Sequence, residues 1–179
     1  MASSNVNSAD KLVRDPIAYQ IIYATTPPVL FFRPTDQWKS RSTAFKHILV
    51  PLDGSEVAEQ VLPYVAAWAS QYESTLTLLS IPENQGDAEL IQKLSIYLDR
   101  VREKFFDFSK NVTCFVVGSG PARTILHYAG DLNIDLIAMV SHGRGGTARQ
   151  EFVKLGSVTE TVLTDCDVPL LFISAKTEF

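Results

Sequence analysis

The sequence predicts an α/β fold in which a parallel sheet is covered by helices on both faces. From residue 45 onward, short apolar runs alternate with stretches whose apolar residues have helical spacing. The apolar runs are almost continuous, as strands are when both faces of a sheet are buried. Such sheets bind ligands beyond the carboxyl ends of their strands, where the strand order reverses. We therefore expect the loops 51–55, 81–86 and 140–157 to converge on one crevice.

Five strands and four helices follow from this alternation. The runs that predict the strands are residues 45–51, 75–81, 112–117, 134–140 and 169–173. The apolar spacing predicts the helices over residues 57–69, 90–105, 121–129 and 156–163. Pro63 lies inside the first helix and is expected to kink it, because proline lacks the N–H that a helix interior requires. Pro121 suits the first turn of the third helix.

Length and composition exclude several classes of protein. The 179 residues carry 16 Lys and Arg against 20 Asp and Glu, and this mild acidity argues against a nucleic-acid-binding protein. The apolar run Pro27–Phe32 is far too short to span a membrane. The start of the chain does not resemble a signal peptide. Cys114 and Cys166 form neither a disulfide framework nor a zinc pattern, so we expect a cytoplasmic protein.

The chain divides at residue 45, with a main domain over residues 45–179 and a separate segment over residues 1–44. The Ser- and Asn-rich start of that segment is expected to be disordered. Residues 16–33 weakly repeat the pattern of residues 157–174. When Pro28 is aligned with Pro169, Val-Leu-Phe-Phe falls on Leu-Leu-Phe-Ile. The repeat predicts a second helix–strand unit, and a chance match between two short apolar strands is the alternative.

Three stretches of the main domain carry a resemblance to a known family. They are ILVPLDGSEVAEQVL at the first strand, DLIAMVSHGRGG at the fourth, and LGSVTETVL before CDVPLLFIS. On these motifs, residues 45–174 resemble the universal stress protein family. The resemblance implies a five-stranded parallel sheet of strand order 3-2-1-4-5, of the adenine nucleotide alpha-hydrolase-like type. It also implies a non-catalytic stress-response protein that binds ATP or AMP, with or without Mg, as a sensor or regulator.

The same resemblance bears on assembly. Members of the family dimerise through the edge that the fifth strand forms, so a homodimer or oligomer through that edge is implied here. Residues 16–33 resemble the last helix and strand of a preceding family domain. An apolar edge strand invites coverage. We therefore expect residues 28–32 to pack against Leu170–Ile173, either within the chain or exchanged with a partner.

The family's nucleotide-binding pattern is Gly-x-x-Gly, nine residues, then Gly-Ser or Gly-Thr. Gly143, Gly146 and the pair Gly156-Ser157 match it. Glycines let a backbone approach phosphates closely, and the N–H groups at a helix start supply donors and positive potential. The resemblance therefore implies that these four residues contact the phosphates.

A second alignment of the same loop is also open. If His142-Gly143 is matched to the family's Gly-x-His-Gly, twelve residues separate it from Gly156. Val140 then stands where members have their first glycine, and a valine at that position is expected to crowd a phosphate. Either the site is shifted by three residues, as in the first alignment, or the loop carries an insertion and lacks one glycine.

Three further residues complete the implied site. Asp53 matches the acid that contacts the nucleoside, Ile81 matches the position whose backbone contacts adenine, and Pro51 ends the first strand. Helix capping is the competing interpretation for two site residues. Asp53-x-x-Glu56 has the pattern of a capping box, and so does Ser157-Val158-Thr159-Glu160.

No Ser/His/Asp set, metal cluster or P-loop lysine is visible, so no catalytic residue is predicted. Arg144, Arg149 and Lys154 could neutralise phosphates or simply form a solvated basic loop. The leading hypothesis is nucleotide binding without catalysis. One alternative is an interaction module whose nucleotide site is degenerate. Another is a nucleotidyl transferase of the wider α/β group, and slow ATP hydrolysis also remains open.

Overall fold

The computed structural model describes residues 27–32, 45–106, 111–141 and 155–174. Its strands are β1 (Val29–Phe31), β2 (His47–Pro51), β3 (Thr75–Ser80), β4 (Val112–Val116), β5 (Leu136–Val140) and β6 (Leu170–Ile173). Its helices are α1 (Glu56–Glu59), α2 (Leu62–Tyr72), α3 (Ala88–Phe105), α4 (Pro121–Asp131) and α5 (Ser157–Asp165). None of these helices combines the length and apolarity that a membrane span requires.

One sheet contains all the described strands, in the order β1-β6-β5-β2-β3-β4. The five strands of the main domain pair in parallel. Read from β4, they stand in the order 3-2-1-4-5, which confirms the predicted fold class and topology. Long helical connections between parallel neighbours make this arrangement possible.

The predicted strand count of five is wrong, because β1 adds a sixth strand antiparallel to β6. All four residues of β6 are buried and apolar. Without β1, β6 would be an exposed edge strand that could pair with another chain. The expectation that residues 28–32 pack on this edge is confirmed for β1, and the pairing is within the chain. The predicted disordered start and the helix predicted before Pro28 lie outside the described residues.

The core consists of two apolar clusters, one on each face of the sheet. Alternate residues of a strand point to opposite faces. In β6, Leu171 and Ile173 belong to the cluster that packs under α2 and α3. Leu170 and Phe172 belong to the cluster under α4 and α5. Burial on both faces explains why the strands appear in the sequence as continuous apolar runs.

The prediction of a single helix with a kink at Pro63 is wrong, because the structure has two separate helices in this segment. α1 ends at Glu59, and α2 begins at Leu62 with Pro63 in its first turn. A proline is tolerated there because the first N–H groups of a helix have no intrahelical partner. Pro121 likewise lies in the first turn of α4, as predicted.

Candidate functional site

The strands β2 and β5 form the centre of the candidate site. Their parallel pairing joins Ile48 to Leu136 and Leu49 to Ile137, near the amino-terminal end of each strand. The connection after β2 leads to β3 on one side, and the connection after β5 leads to β6 on the other. The strand order therefore reverses between β2 and β5. A ligand crevice is expected at this point, outside the carboxyl ends of the two strands.

The segment that follows β2 is fixed firmly to β3. The Leu52 N–H donates to the carbonyl of Leu79 at 2.8 Å. The hydroxyl of Ser80, which is fully buried, donates to the carbonyl of Leu52, also at 2.8 Å. Pro51 and Asp53 flank the buried Leu52, and both are half-buried. These bonds place the Asp53 backbone at the carboxyl end of β2.

The carboxylate of Asp53 is oriented by the residue that caps α1. Oδ1 of Asp53 accepts from the Ser55 N–H at 2.9 Å and from the Ser55 hydroxyl at 2.6 Å. Ser55 is itself the N-cap of α1, and its Oγ accepts from the Ala58 N–H. The capping-box interpretation, with Asp53 as the cap and Glu56 as its partner, is therefore wrong. Asp53 supports the cap from outside the helix.

The start of α5 lies beside the end of β5. The Gly156 N–H donates to the carbonyl of Ser141 at 3.3 Å. The Thr159 hydroxyl reaches the carbonyl of Val140 at 3.5 Å. Gly156 is the N-cap, and as a glycine it has no side chain that could cap this helix. The second capping-box interpretation is wrong as well, because Ser157 is the first helical residue and is exposed rather than capping.

This helix start has the properties of an anion site. The N–H groups of a first helical turn lack intrahelical acceptors, and the helix dipole adds positive potential there. Anions commonly bind at such ends. The bond between Gly156 and Ser141 keeps the α5 start next to the crevice on the β5 side.

Val140 does not occupy the crevice with its side chain. That side chain is 6% exposed and lies in the core cluster with Leu171 and Ile173. The expected crowding of a phosphate by Val140 therefore has no exposed side chain to cause it.

Ile81 follows the last paired residues of β3 and β4, where Ser80 is opposite Val116. The Val117 N–H donates to the carbonyl of Ser80 at 3.1 Å, which ends the ladder. The Ile81 side chain is half-buried and packs against the cluster under α4 and α5. Its backbone thus lies at the carboxyl end of β3, on the same edge of the sheet as Asp53.

The structure brings five of the predicted site residues to the carboxyl edge of the sheet: Pro51, Asp53, Ile81, Gly156 and Ser157. The loop residues Gly143 and Gly146 lie outside the described residues, as do His142, Arg144, Arg149 and Lys154. Sequence reasoning missed the buried hydroxyls of Ser80 and Thr159, which bond to the backbone just after β2 and at the end of β5. The sequence did contain a signal for Ser80, because it is a polar residue at the end of a strand rich in leucine.

The buried Tyr97 on α3 interacts electrostatically with the carboxylates of Glu59 and Asp53. Burial raises the pKa of Tyr97 well above its usual range, and the carboxylates of Glu59 and Asp53 add to the effect. Arg100 opposes it and lies 3.6 Å from Glu59. The Tyr97 phenol therefore stays protonated to a higher pH than an ordinary tyrosine does. In the described part of the chain, no cluster of three or more His, Cys, Asp and Glu side chains is arranged to hold a metal ion.

Comparison with known families settles the family of this chain. The model of the universal stress protein family matches residues 44–174. The chain belongs to the universal stress protein family. Universal stress protein MJ0577 of Methanocaldococcus jannaschii is 26% identical over an alignment of 162 positions that covers 75% of this chain and 98% of that protein. The solved structure of MJ0577 superposes with a TM-score of 0.67 at 27% identity, covering 76% of this chain and all of that one.

Two more distant structures share the universal stress protein fold. One was solved in complex with cAMP, and it has a TM-score of 0.57 at 19% identity over 75% of this chain and 100% of that chain. The other, from Archaeoglobus fulgidus, has a TM-score of 0.68 at 20% identity. It covers 89% of this chain but 55% of its own longer chain. At these identities the likeness shows the fold alone.

Proposed function

We propose that this universal stress protein binds an adenine nucleotide, ATP or AMP, in the crevice between β2 and β5. The observation that carries the proposal is the start of α5, whose N-cap Gly156 has no side chain and which a bond between Gly156 and Ser141 holds at the end of β5. An anionic group suits that helix start. Asp53 supplies an oriented carboxylate on the β2 side. The fold neighbour solved with cAMP supports an adenine nucleotide as the ligand class.

Each site residue has a proposed role toward that ligand. Ser157 donates to the phosphates from the start of α5, Gly156 leaves room for them there because it has no side chain, and Gly143 and Gly146 approach them from the preceding loop. Charged hydrogen bonds of this kind are the strong ones. Asp53 accepts from hydroxyls of the ribose, since an ionised carboxylate only accepts hydrogen bonds.

The base is proposed to lie at the carboxyl end of β3. There the backbone of Ile81 contacts adenine, and Pro51 borders the sugar and base from β2. Magnesium, where ATP carries it, is proposed to enter with the phosphates.

The proposed role is that of a sensor or regulator without catalysis. A second candidate is an interaction module with a degenerate, non-binding site, and the valine at position 140 is the observation that favours it. The burial of the Val140 side chain weakens that alternative, since the group is not exposed where a phosphate would bind.

A thermal unfolding series with ATP, AMP and GTP tests the nucleotide proposal. Ligand at about 100 times its Kd stabilises a folded protein by about 2.7 kcal/mol, so binding raises the Tm. We expect ATP or AMP to raise the Tm and GTP to do so much less. An unchanged Tm at millimolar ATP in well-folded protein favours the degenerate module, and release of ADP above background would show hydrolysis.

Assembly, localisation and domain division remain predictions. We propose a cytoplasmic protein with its family domain over residues 45–179, preceded by the segment 1–44. The implied homodimer through the fifth-strand edge meets a specific obstacle, because β1 lies on that edge.

A further inference from the structure

The pairing of β1 with β6 follows the register that two copies of β6 would use. Val29 lies opposite Phe172, Leu30 opposite Leu171, and Phe31 opposite Leu170. In the alignment of Pro28 with Pro169, those three β1 residues correspond to Leu170, Leu171 and Phe172. If each β1 residue is replaced by its β6 counterpart, the pairing becomes one between two copies of β6. Residue 170 of one copy then lies opposite residue 172 of the other, and residue 171 lies opposite residue 171. An antiparallel pair of identical strands has a two-fold axis, and here the axis falls on Leu171, inside β6.

The faces of the strands agree with this correspondence as well. A shift by one residue would exchange the faces, because side chains alternate along a strand. Phe31 instead packs on the cluster that contains its counterpart, Phe172. The two rings meet edge to face with centroids 5.6 Å apart. In two paired copies of β6, the two Phe172 rings would be neighbours in the same diagonal position.

The chemistry of the edge explains why it is covered. β6 is a four-residue apolar strand whose outer backbone groups would have no partner in the sheet without β1. β1 has three residues, and Leu30 at its centre is 39% exposed. A short edge strand is a weaker template for further pairing.

We propose that β1 substitutes, within the chain, for β6 of a second copy. While β1 is docked, the protein does not dimerise through this edge. When β1 is released, the edge becomes a homodimer interface whose two-fold axis passes through Leu171. The inference is independent of nucleotide binding, because none of the proposed nucleotide contacts lies on β1 or β6.

The first test is the mass of the full chain in solution, measured by size exclusion with light scattering. In a strand, the N–H groups of consecutive residues point to opposite sides. The double variant V29P/L30P therefore removes the donor that faces β6, whichever of the two it is. We expect the unaltered chain to be a monomer and the variant to be a dimer. A folded variant that stays monomeric overturns the proposal, and so does an unaltered chain that already dimerises.

Disulfide trapping tests the register directly, in a C114A/C166A background under mild oxidation. With the two prolines present, Leu171→Cys should cross-link two chains, because residue 171 is opposite itself. The matched control Phe172→Cys should not, because residue 172 is opposite residue 170. With β1 intact, L30C/L171C should form a disulfide within one chain. Cross-linking through residue 172 rather than 171, or between chains in L30C/L171C, contradicts the proposal.

A second variant covers the case in which the double proline unfolds the protein, as circular dichroism would show. Phe31→Asp keeps every backbone N–H but places a carboxylate against the Phe172 ring. We expect the same change from monomer to dimer and the same cross-link at residue 171. A folded, monomeric F31D protein overturns the proposal.

Discussion

At the scale of single residues, the charge of Asp53 can be separated from its structural role. Asparagine keeps an oxygen that can accept from Ser55, so Asp53→Asn should preserve the local fold. It loses the charge, and hydrogen bonds to charged groups contribute about 1.5–3 kcal/mol. We therefore expect roughly 10- to 100-fold weaker ATP binding in a calorimetric titration. Asp131→Asn, an exposed change on α4, is the matched control and should bind as the unaltered chain does.

Tyr97 gives the protein a predicted alkaline limit. Its pKa is raised in the folded state by burial and by the carboxylates of Glu59 and Asp53, so the folded protein keeps a proton that the unfolded chain releases near pH 10. The free energy of unfolding should therefore fall as the pH rises above about 10. Tyr97→Phe should reduce that slope in urea titrations at pH 8 to 11. Tyr64→Phe, at a 40% exposed position, should leave it unchanged, and an equal slope in both variants would contradict the account.

The sequence left the local bonds of the proposed site residues open. Asp53 and Ser157 were marked by motifs that serve equally for ligand contact and for capping. The cap is decided by which residue has extended backbone angles at the helix start. Ser55 has φ −90° and ψ 150°, and Gly156 has φ −57° and ψ 143°. These backbone angles depend on where the preceding strand ends and how the chain turns into the helix. A pattern of residue types does not contain that information.

At the scale of elements, β1 should contribute measurably to stability through Phe31. The edge-to-face pair of Phe31 with Phe172 is worth about 0.5–1.5 kcal/mol beyond the burial of apolar area. We expect Phe31→Ala to lower the free energy of unfolding by about 1–3 kcal/mol in urea titrations. The neighbouring Phe32 is 60% exposed, so Phe32→Ala should change the free energy of unfolding by at most about 0.5 kcal/mol. Equal losses in the two variants would show that β1 is not docked as described.

Helices and strands could be predicted from the sequence where a residue pattern is compatible with only one structure. The apolar repeat correctly predicted that residues 28–32 cover the β6 edge, although the sheet was expected to have five strands. Pro63 shows the opposite case. A proline in a helical pattern can kink a helix or begin a new one, and apolar spacing continues across both. Here the chain stops one helix at Glu59 and starts another at Leu62, which packing around the buried Val61 allows.

At the scale of the whole molecule, alternation of apolar strands and helices predicted the α/β class because both faces of the sheet are buried. It did not predict the strand order, which came with the family resemblance. The crevice that alternation predicts remains a prediction, since most of the loop 140–157 lies outside the described residues. The contacts of Gly143 and Gly146 remain predictions, as they lie outside the described residues.

The central claim is that the start of α5 binds nucleotide phosphates, and a calorimetric ATP titration of Gly156→Val tests it most directly. The backbone angles of Gly156 are open to valine, so the variant should fold while its side chain obstructs the phosphates. Gly130→Val, on α4 where an added Cβ meets nothing within 4 Å, is the matched control. The account predicts one ATP bound per chain in the unaltered protein and in G130V, and no measurable binding in G156V. Equal affinity in G156V, or no binding by the folded unaltered chain at millimolar ATP, would contradict it.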